Sequence, residues 1–154
     1  MQVAGFGRGD PVIVTLKLLA DGVEIPDYAK PGDAACDLRS TLSVELSPLM
    51  RTLVPTGIAL EIPEGYAGLV TPRSGMAANF GIMCLNSPGL IDSGYRGEIK
   101  VVLYNSDPRE SFTIHQGDRI AQLFLVAVPK VSFMPVEKLS ESARGAGGFG
   151  HTGV

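Results

Sequence analysis

The sequence has no tryptophan, only two cysteines and two histidines, and no apolar run long enough to span a membrane. Each shortage removes a class of function. Cys36 and Cys84 match no metal-ligand spacing and are too few for a disulfide framework; they read as two buried, reduced thiols of a cytoplasmic protein. His115 and His151 lie far apart, which argues against a histidine-based metal cluster within one chain. The N-terminus carries no signal-peptide pattern. There is no basic excess either. Lys and Arg number 13 against 16 Asp and Glu, a net charge of −3, so nothing draws the chain to nucleic acid or membrane in general. A polyanion bound here must be held by a few placed cations.

What is present describes one globular domain. A chain of 154 residues can bury a proper core, and 45% hydrophobic with 19% charged residues excludes disorder. Residues 1–10 carry three glycines without periodicity and read as a loose N-terminal arm. Residues 11–139 form the β domain. Strand patterns run over Val12 to Leu19, Leu42 to Leu46, Thr52 to Ile62, Tyr66 to Thr71, Ile82 to Leu85 and Ile99 to Tyr104. Three more cover Phe112 to His115, Ile120 to Val128 and Val131 to Val136. Pro55 and Gly57 interrupt the third of these with a bulge or an edge position. In Ile99 to Tyr104, Ile99, Val101 and Leu103 point one way and Lys100 the other. Ile120 to Val128 is apolar on both faces apart from Gln122, as a strand central to the core should be. Pro72 to Gly81 predicts the single helix, with Ser74 as N-cap and Gly81 as the left-handed stop. Short strands, 19 Gly and 11 Pro in turns, and one small helix give an all-β sandwich or barrel. Residues 140–154 hold five glycines and one large apolar side chain, Phe149; that arm cannot pack a core of its own.

Chemistry concentrates beside turns. Arg73 precedes the helix cap, Arg119 follows Gly117-Asp118, and Arg144 opens the Gly-rich tail. A guanidinium fork matches two phosphate oxygens at once, and the helix start at Ser74-Gly75 offers N–H donors to an anion. Taken singly, each arginine reads better as a surface residue; their shared placement at strand ends beside glycine argues for the anion site. Gln122 in its apolar strand needs a polar partner, from backbone or ligand. Asp33 and Asp37 end a loop and enter a strand; an Asp near such arginines fits a hydrated Mg²⁺ site, while Asp33 taken alone reads as a turn cap. In Gly89-Leu90-Ile91-Asp92-Ser93-Gly94-Tyr95-Arg96-Gly97, three glycines bracket an acid, a phenol and a guanidinium. The stretch reads as a hairpin built on Gly89, Gly94 and Gly97, in which Asp92 is either a turn-former bonding its own backbone or an acid presented by the turn. The tail from Arg144 to Gly153 is either a disordered end or a lid whose Phe149 stacks on a base.

These pieces occur in an order that resembles the homotrimeric dUTP pyrophosphatases (dUTPases), from about Leu16 to Gly153. Five short motifs carry the likeness: Pro31 to Leu38, Pro72 to Gly75, Gly89 to Gly97, Gly117 to Leu123 and Arg144 to Gly153. The resemblance implies a distorted jelly roll assembling as a trimer, with each C-terminal arm closing over a neighbour's active site. It implies Mg²⁺-assisted hydrolysis of dUTP to dUMP and pyrophosphate, which supplies dUMP for dTMP synthesis and keeps uracil out of DNA. By the same likeness Asp92 is the general base and Tyr95 the ring beneath the deoxyribose. Asn86 reads uracil, and Leu90 and Ile91 crowd out a 5-methyl group. Arg73, Ser74, Gly75, Arg119 and Gln122 hold phosphates, and Lys100 contacts the nucleotide as in actinobacterial-type members. Arg144, Phe149 and Gly150 belong to the closing arm, and Asp37 orients the hydrated Mg²⁺. Two positions depart from the family pattern. Cys36 stands where an aromatic or aliphatic residue is commoner, and His151 replaces a small hydroxyl residue. The competing readings are a dCTP deaminase-like enzyme of the same fold and a regulatory protein that only senses dUTP.

Overall fold

The computed structural model describes residues 11–147. The expected N-terminal arm, and Phe149, Gly150 and His151 of the C-terminal one, lie outside the described residues. Ten strands and one helix follow in order: β1 Thr15–Leu18, β2 Cys36–Arg39, β3 Val44–Leu46, β4 Arg51–Glu61, β5 Tyr66–Thr71, α1 Ser74–Phe80, β6 Ile82–Cys84, β7 Gly89–Ile91, β8 Glu98–Asn105, β9 Phe112–Ile114 and β10 Arg119–Ala127. They make two four-stranded sheets, β1-β4-β8-β6 and β2-β10-β5-β7, with β3 and β9 as a third pair. All pairings are antiparallel. The fold is mostly β, as the strand pattern predicts, and among the described residues no helix is long and apolar enough to cross a membrane.

Alternation in the sequence becomes burial in the structure. Ile99, Val101 and Leu103 of β8 are buried while Lys100 is exposed. These side chains join Leu38, Val54, Ile58, Val70, Met76, Ile82, Ile114 and Ile120 in one core fed by all three sheets. Asn105 lies fully buried at the end of β8. Its amide donates to the Leu46 and Glu110 carbonyls at 3.0 and 2.8 Å and accepts the Asp107 N–H at 2.9 Å, tying β3 to the β8–β9 connection. β10 pairs on both edges, with β2 and β5, which agrees with its nearly unbroken apolar run.

Three expectations need correction. The helix is capped by Arg73 rather than Ser74, with extended backbone at Arg73 and no side-chain cap bond. Ser74 is the first helical residue, and Gly81 does close the helix left-handed at φ 65°. Val131 to Val136 forms no strand: Val131, Phe133 and Met134 are exposed, and no described strand follows β10. Branched apolar residues form a strand only where a sheet edge and a covering layer receive them. Finally, Gly89 to Gly97 is no hairpin. β7 pairs with β5 in one sheet and β8 with β4 and β6 in the other, so the loop between them crosses from sheet to sheet.

Candidate active site

Two clusters of chemistry emerge, at opposite ends of β5. The first is built on a row across three neighbouring strands. Asp37 of β2 lies opposite Gln122 of β10, which lies opposite Thr71 of β5. Two residues past Thr71 the chain reaches Arg73 at the helix cap, and Arg119 opens β10. The Asp37 carboxylate accepts from Arg73 Nε at 3.1 Å and from Arg119 Nη1 at 3.2 Å, and Arg73 Nη1 donates to the Arg119 carbonyl at 3.3 Å. One acid thus fixes two guanidinium groups and leaves a unit of positive charge over. The first turn of α1, carrying Ser74 and Gly75, contains no acid to oppose it. Its N–H groups lack intrahelical acceptors by helix geometry. Backbone, fork donors and positive charge together make an anion site.

The second cluster is a cleft of about 290 Å³ lined by Leu53, Leu90, Ile91, Asp92, Tyr95, Glu98, Ile99 and Lys100. It lies just under the usual size of a small-molecule site, so further surface is needed to enclose a nucleotide. The Tyr95 N–H closes a turn onto the Asp92 carbonyl at 3.0 Å. The Tyr95 hydroxyl donates to the Glu98 carbonyl at 3.0 Å, which folds the ring over Gly97. A Cβ at Gly97 would stand 2.6 Å from the ring carbon that bears the hydroxyl, so a larger residue there would push the ring aside. Arg96 does not face a ligand: it donates to the Ser93 and Tyr95 carbonyls and pairs with Glu61 at 3.2 Å.

The structure therefore groups Arg73, Arg119, Gln122 and Asp37, with Ser74 and Gly75 beside them, and separately Leu90, Ile91, Asp92, Tyr95 and Lys100. Asn86 lies apart from both, on the β6–β7 loop with its amide against Gly89. Arg144 is exposed in a turn, its Nε donating to the Gly147 carbonyl at 2.9 Å. Sequence reasoning missed Glu98, which accepts the Gly57 N–H and pairs with Lys100 at 3.4 Å. The signal was available, since opposite charges two apart on a strand share a face.

The β5 register measures how far apart the clusters are. Ile91 lies opposite Gly68 and Thr71 opposite Gln122. Asp92 continues one way from Gly68 and Arg73 the other way from Thr71, a separation of roughly 20 Å at ~3.3 Å per residue. No side chain spans that gap, so the acid and arginines of one chain cannot serve one phosphate.

A cysteine nucleophile is not on offer. Burial pushes the Cys36 thiol up, ahead of an opposing Tyr28 hydrogen bond and the charges of Asp27 and Asp37. Burial alone pushes Cys84 up to about 11. Both are free, Cys84 buried as expected and Cys36 only half-buried.

Comparison with known proteins decides the family. The dUTPase family model matches residues 21–153. The chain belongs to the dUTPase family. It is similar to the deoxyuridine 5'-triphosphate nucleotidohydrolase of Streptomyces griseus, 52% identical over 143 residues that cover 93% of this chain and 81% of the relative. That of Thermobifida fusca is 50% identical over 142 residues, covering 92% and 79%. Among solved structures, a mutant dUTPase of Staphylococcus bacteriophage 80alpha with dUpNHpp superposes with a TM-score of 0.85 at 30% identity, covering 92% of this chain and 99% of that one. A mutant dUTPase from phage phi11 of S. aureus, described with a structural Mg(II) ion, gives 0.77 at 26% identity over 82% and 97%.

Proposed function

We propose that the protein is a dUTP diphosphatase: it hydrolyses dUTP to dUMP and pyrophosphate by water attack on the α-phosphorus, in sites shared among the subunits of a trimer. The observation that carries this reading is the split of the family's site residues into two clusters about 20 Å apart along β5, too far for one chain to act alone. A trimer lets the arginine cluster of one copy meet the Asp92 cleft of another, with the arm of a third closing over both.

Triphosphate hydrolysis asks mostly for positioning and charge neutralisation. Arg73 and Arg119, already clamped by Asp37, take phosphate oxygens together with Gln122 and the Gly75 N–H, and Ser74 sits by the α–β bridge. Asp92 receives the proton of the attacking water, a role that contributes roughly 10²- to 10⁴-fold. The Tyr95 ring, fixed by its bond to the Glu98 carbonyl, lies under the deoxyribose and leaves no room for a 2′-hydroxyl. Leu90 and Ile91 crowd a 5-methyl group, Asn86 reads the uracil edge, and Lys100 contacts the nucleotide. Arg144, Phe149 and Gly150 complete the arm. A cytoplasmic setting suits the two free thiols.

Mg²⁺ prefers oxygen ligands and keeps much of its water. Among the described residues no group of three or more His, Cys, Asp and Glu forms a cage. The residues fit an ion carried mainly by the nucleotide's phosphates, with Asp37 as the carboxylate that would orient its waters. Such an ion supplies neutralisation of phosphate charge.

The test is pyrophosphate release from dUTP, UTP, dTTP and dCTP in Mg²⁺ buffer. Turnover of dUTP should exceed the others by at least two orders of magnitude, in line with sites that hydrogen-bond their substrate. Equal turnover of UTP would sink the role given to Tyr95, and deamination of dCTP would replace the reading altogether.

A further inference from the structure

We propose that Glu98 is a positioning residue of the nucleotide cleft, acting through Lys100. The inference rests on the reading of the Asp92 cleft as the place of dUTP, and it adds a residue to which neither the family motifs nor the reaction assigns a task. The argument starts in β4. Between the pairs Pro55–Lys100 and Ala59–Glu98, β4 has three residues where β8 has only Ile99. Surplus residues bulge, and a bulge leaves ladder groups unpaired. Two side chains repair this one: the Thr56 hydroxyl donates to the Ile99 carbonyl at 2.6 Å, and Glu98 Oε1 accepts the Gly57 N–H at 2.9 Å.

Gly57 gives that bond a fixed anchor. Its φ is 71°, and a Cβ would stand 2.6 Å from a Val23 methyl and 2.7 Å from the Thr41 methyl. The carboxylate's other oxygen, Oε2, lies 3.4 Å from Lys100 Nζ. Glu98 therefore joins an immobile backbone amide to a lysine that would otherwise sample many rotamers. Its side chain is 23% exposed against 44% for Lys100, so the anchored end is the sheltered one. Its main-chain carbonyl also receives the Tyr95 hydroxyl. One residue thus touches both the cation and the ring of the cleft. Repair of the bulge alone would need only a neutral acceptor, which glutamine supplies; the negative charge matters only to Lys100.

That difference is the test. Steady-state kinetics and thermal melts are run on the full-length oligomeric enzyme as wild type, Glu98→Gln, Lys100→Met and the double variant. Glu98→Gln should melt like wild type and raise the KM for dUTP roughly two- to fivefold, the range for a partly exposed ion pair, with kcat little changed. Lys100→Met should raise KM by itself, and the double variant should be no worse than Lys100→Met alone. Unchanged kinetics in Glu98→Gln, a lowered KM, or effects that multiply independently would each overturn the proposal. An inert Lys100→Met would instead remove the reading beneath it, because the cleft would not then hold nucleotide through that lysine. Should Glu98→Gln melt early, Thr56→Val decides, with kinetics run well below both melting temperatures: it loosens the same bulge but leaves the Glu98–Lys100 pair, so a KM rise confined to Glu98→Gln supports the proposal and an equal rise in Thr56→Val overturns it.

Discussion

Asp37 and Asp92 share a side chain and differ in everything around it. Asp37 is 13% exposed and pinned between Arg73 and Arg119 on the edge strand β2. Asp92 stands exposed at the turn beyond β7, and among the described residues its carboxylate enters no ion pair. A carboxylate held by two guanidinium groups serves to position them. One that meets none keeps its lone pairs for water. Under the proposed function, the acid that holds the arginines and the acid that takes the proton are kept apart by distance along one strand.

The sharpest way to break that comparison is to neutralise each acid in turn. Asp92→Asn should lower kcat by roughly 10²- to 10⁴-fold while dUTP binding, followed by calorimetry, changes little. Asp37→Asn should raise KM instead, by about tenfold, because two arginines lose their clamp. A large kcat loss in Asp37→Asn alone would invert the assignment.

A second experiment asks whether the clusters of different copies cooperate. Trimers refolded from equal parts of Asp92→Asn and Arg73→Ala chains should recover about a quarter of wild-type activity, since half the copies supply each intact cluster independently. Recovery no better than the parents would mean that one chain supplies both.

Smaller effects belong to the core behind both clusters. Asn105→Ala leaves the Leu46 and Glu110 carbonyls without their buried donor, and should cost about 1–3 kcal/mol of stability by chemical denaturation with KM unchanged. Smaller still is an alkaline effect at Cys84. Its thiol is held near 11 in the fold against 9.0 otherwise, so folding favours the protonated form. That stability is complete below about pH 9 and drains away as pH rises toward 11. A Cys84→Ala variant should lose less stability than wild type over that window.

Much of this was legible in the sequence, for identifiable reasons. β5 matches its expected span, Gly81 ends the helix left-handed, and Pro55 with Gly57 marks a bulge. Each is a local signal, set by alternation or by backbone chemistry within a few residues. Pairing partners were not legible. The glycines from 89 to 97 suggest a hairpin, yet β7 and β8 join different sheets, a choice made by the core rather than by the turn. Val131 to Val136 has strand composition without a strand, because composition cannot say whether an edge is there to receive it. The proposed site residues came from motif order, and Glu98 was overlooked although its pairing with Lys100 lay within reach of the strand alternation; only its contact with Gly57, 41 residues away, was not legible.

The crossing loop between β7 and β8 has one mechanical consequence. Its first end is stitched to β5 in one sheet, its last to β4 and β6 in the other, and Arg96 pins its middle to Glu61 at the end of β4. Any slip of one sheet over the other must therefore stretch or slacken the residues that carry Asp92 and Tyr95. A sandwich with an interlocked interior resists such shear. The alignment of the Asp92 carboxylate is thus borrowed from the stiffness of the whole body, and a cavity cut far away between the sheets would detune it without touching the loop.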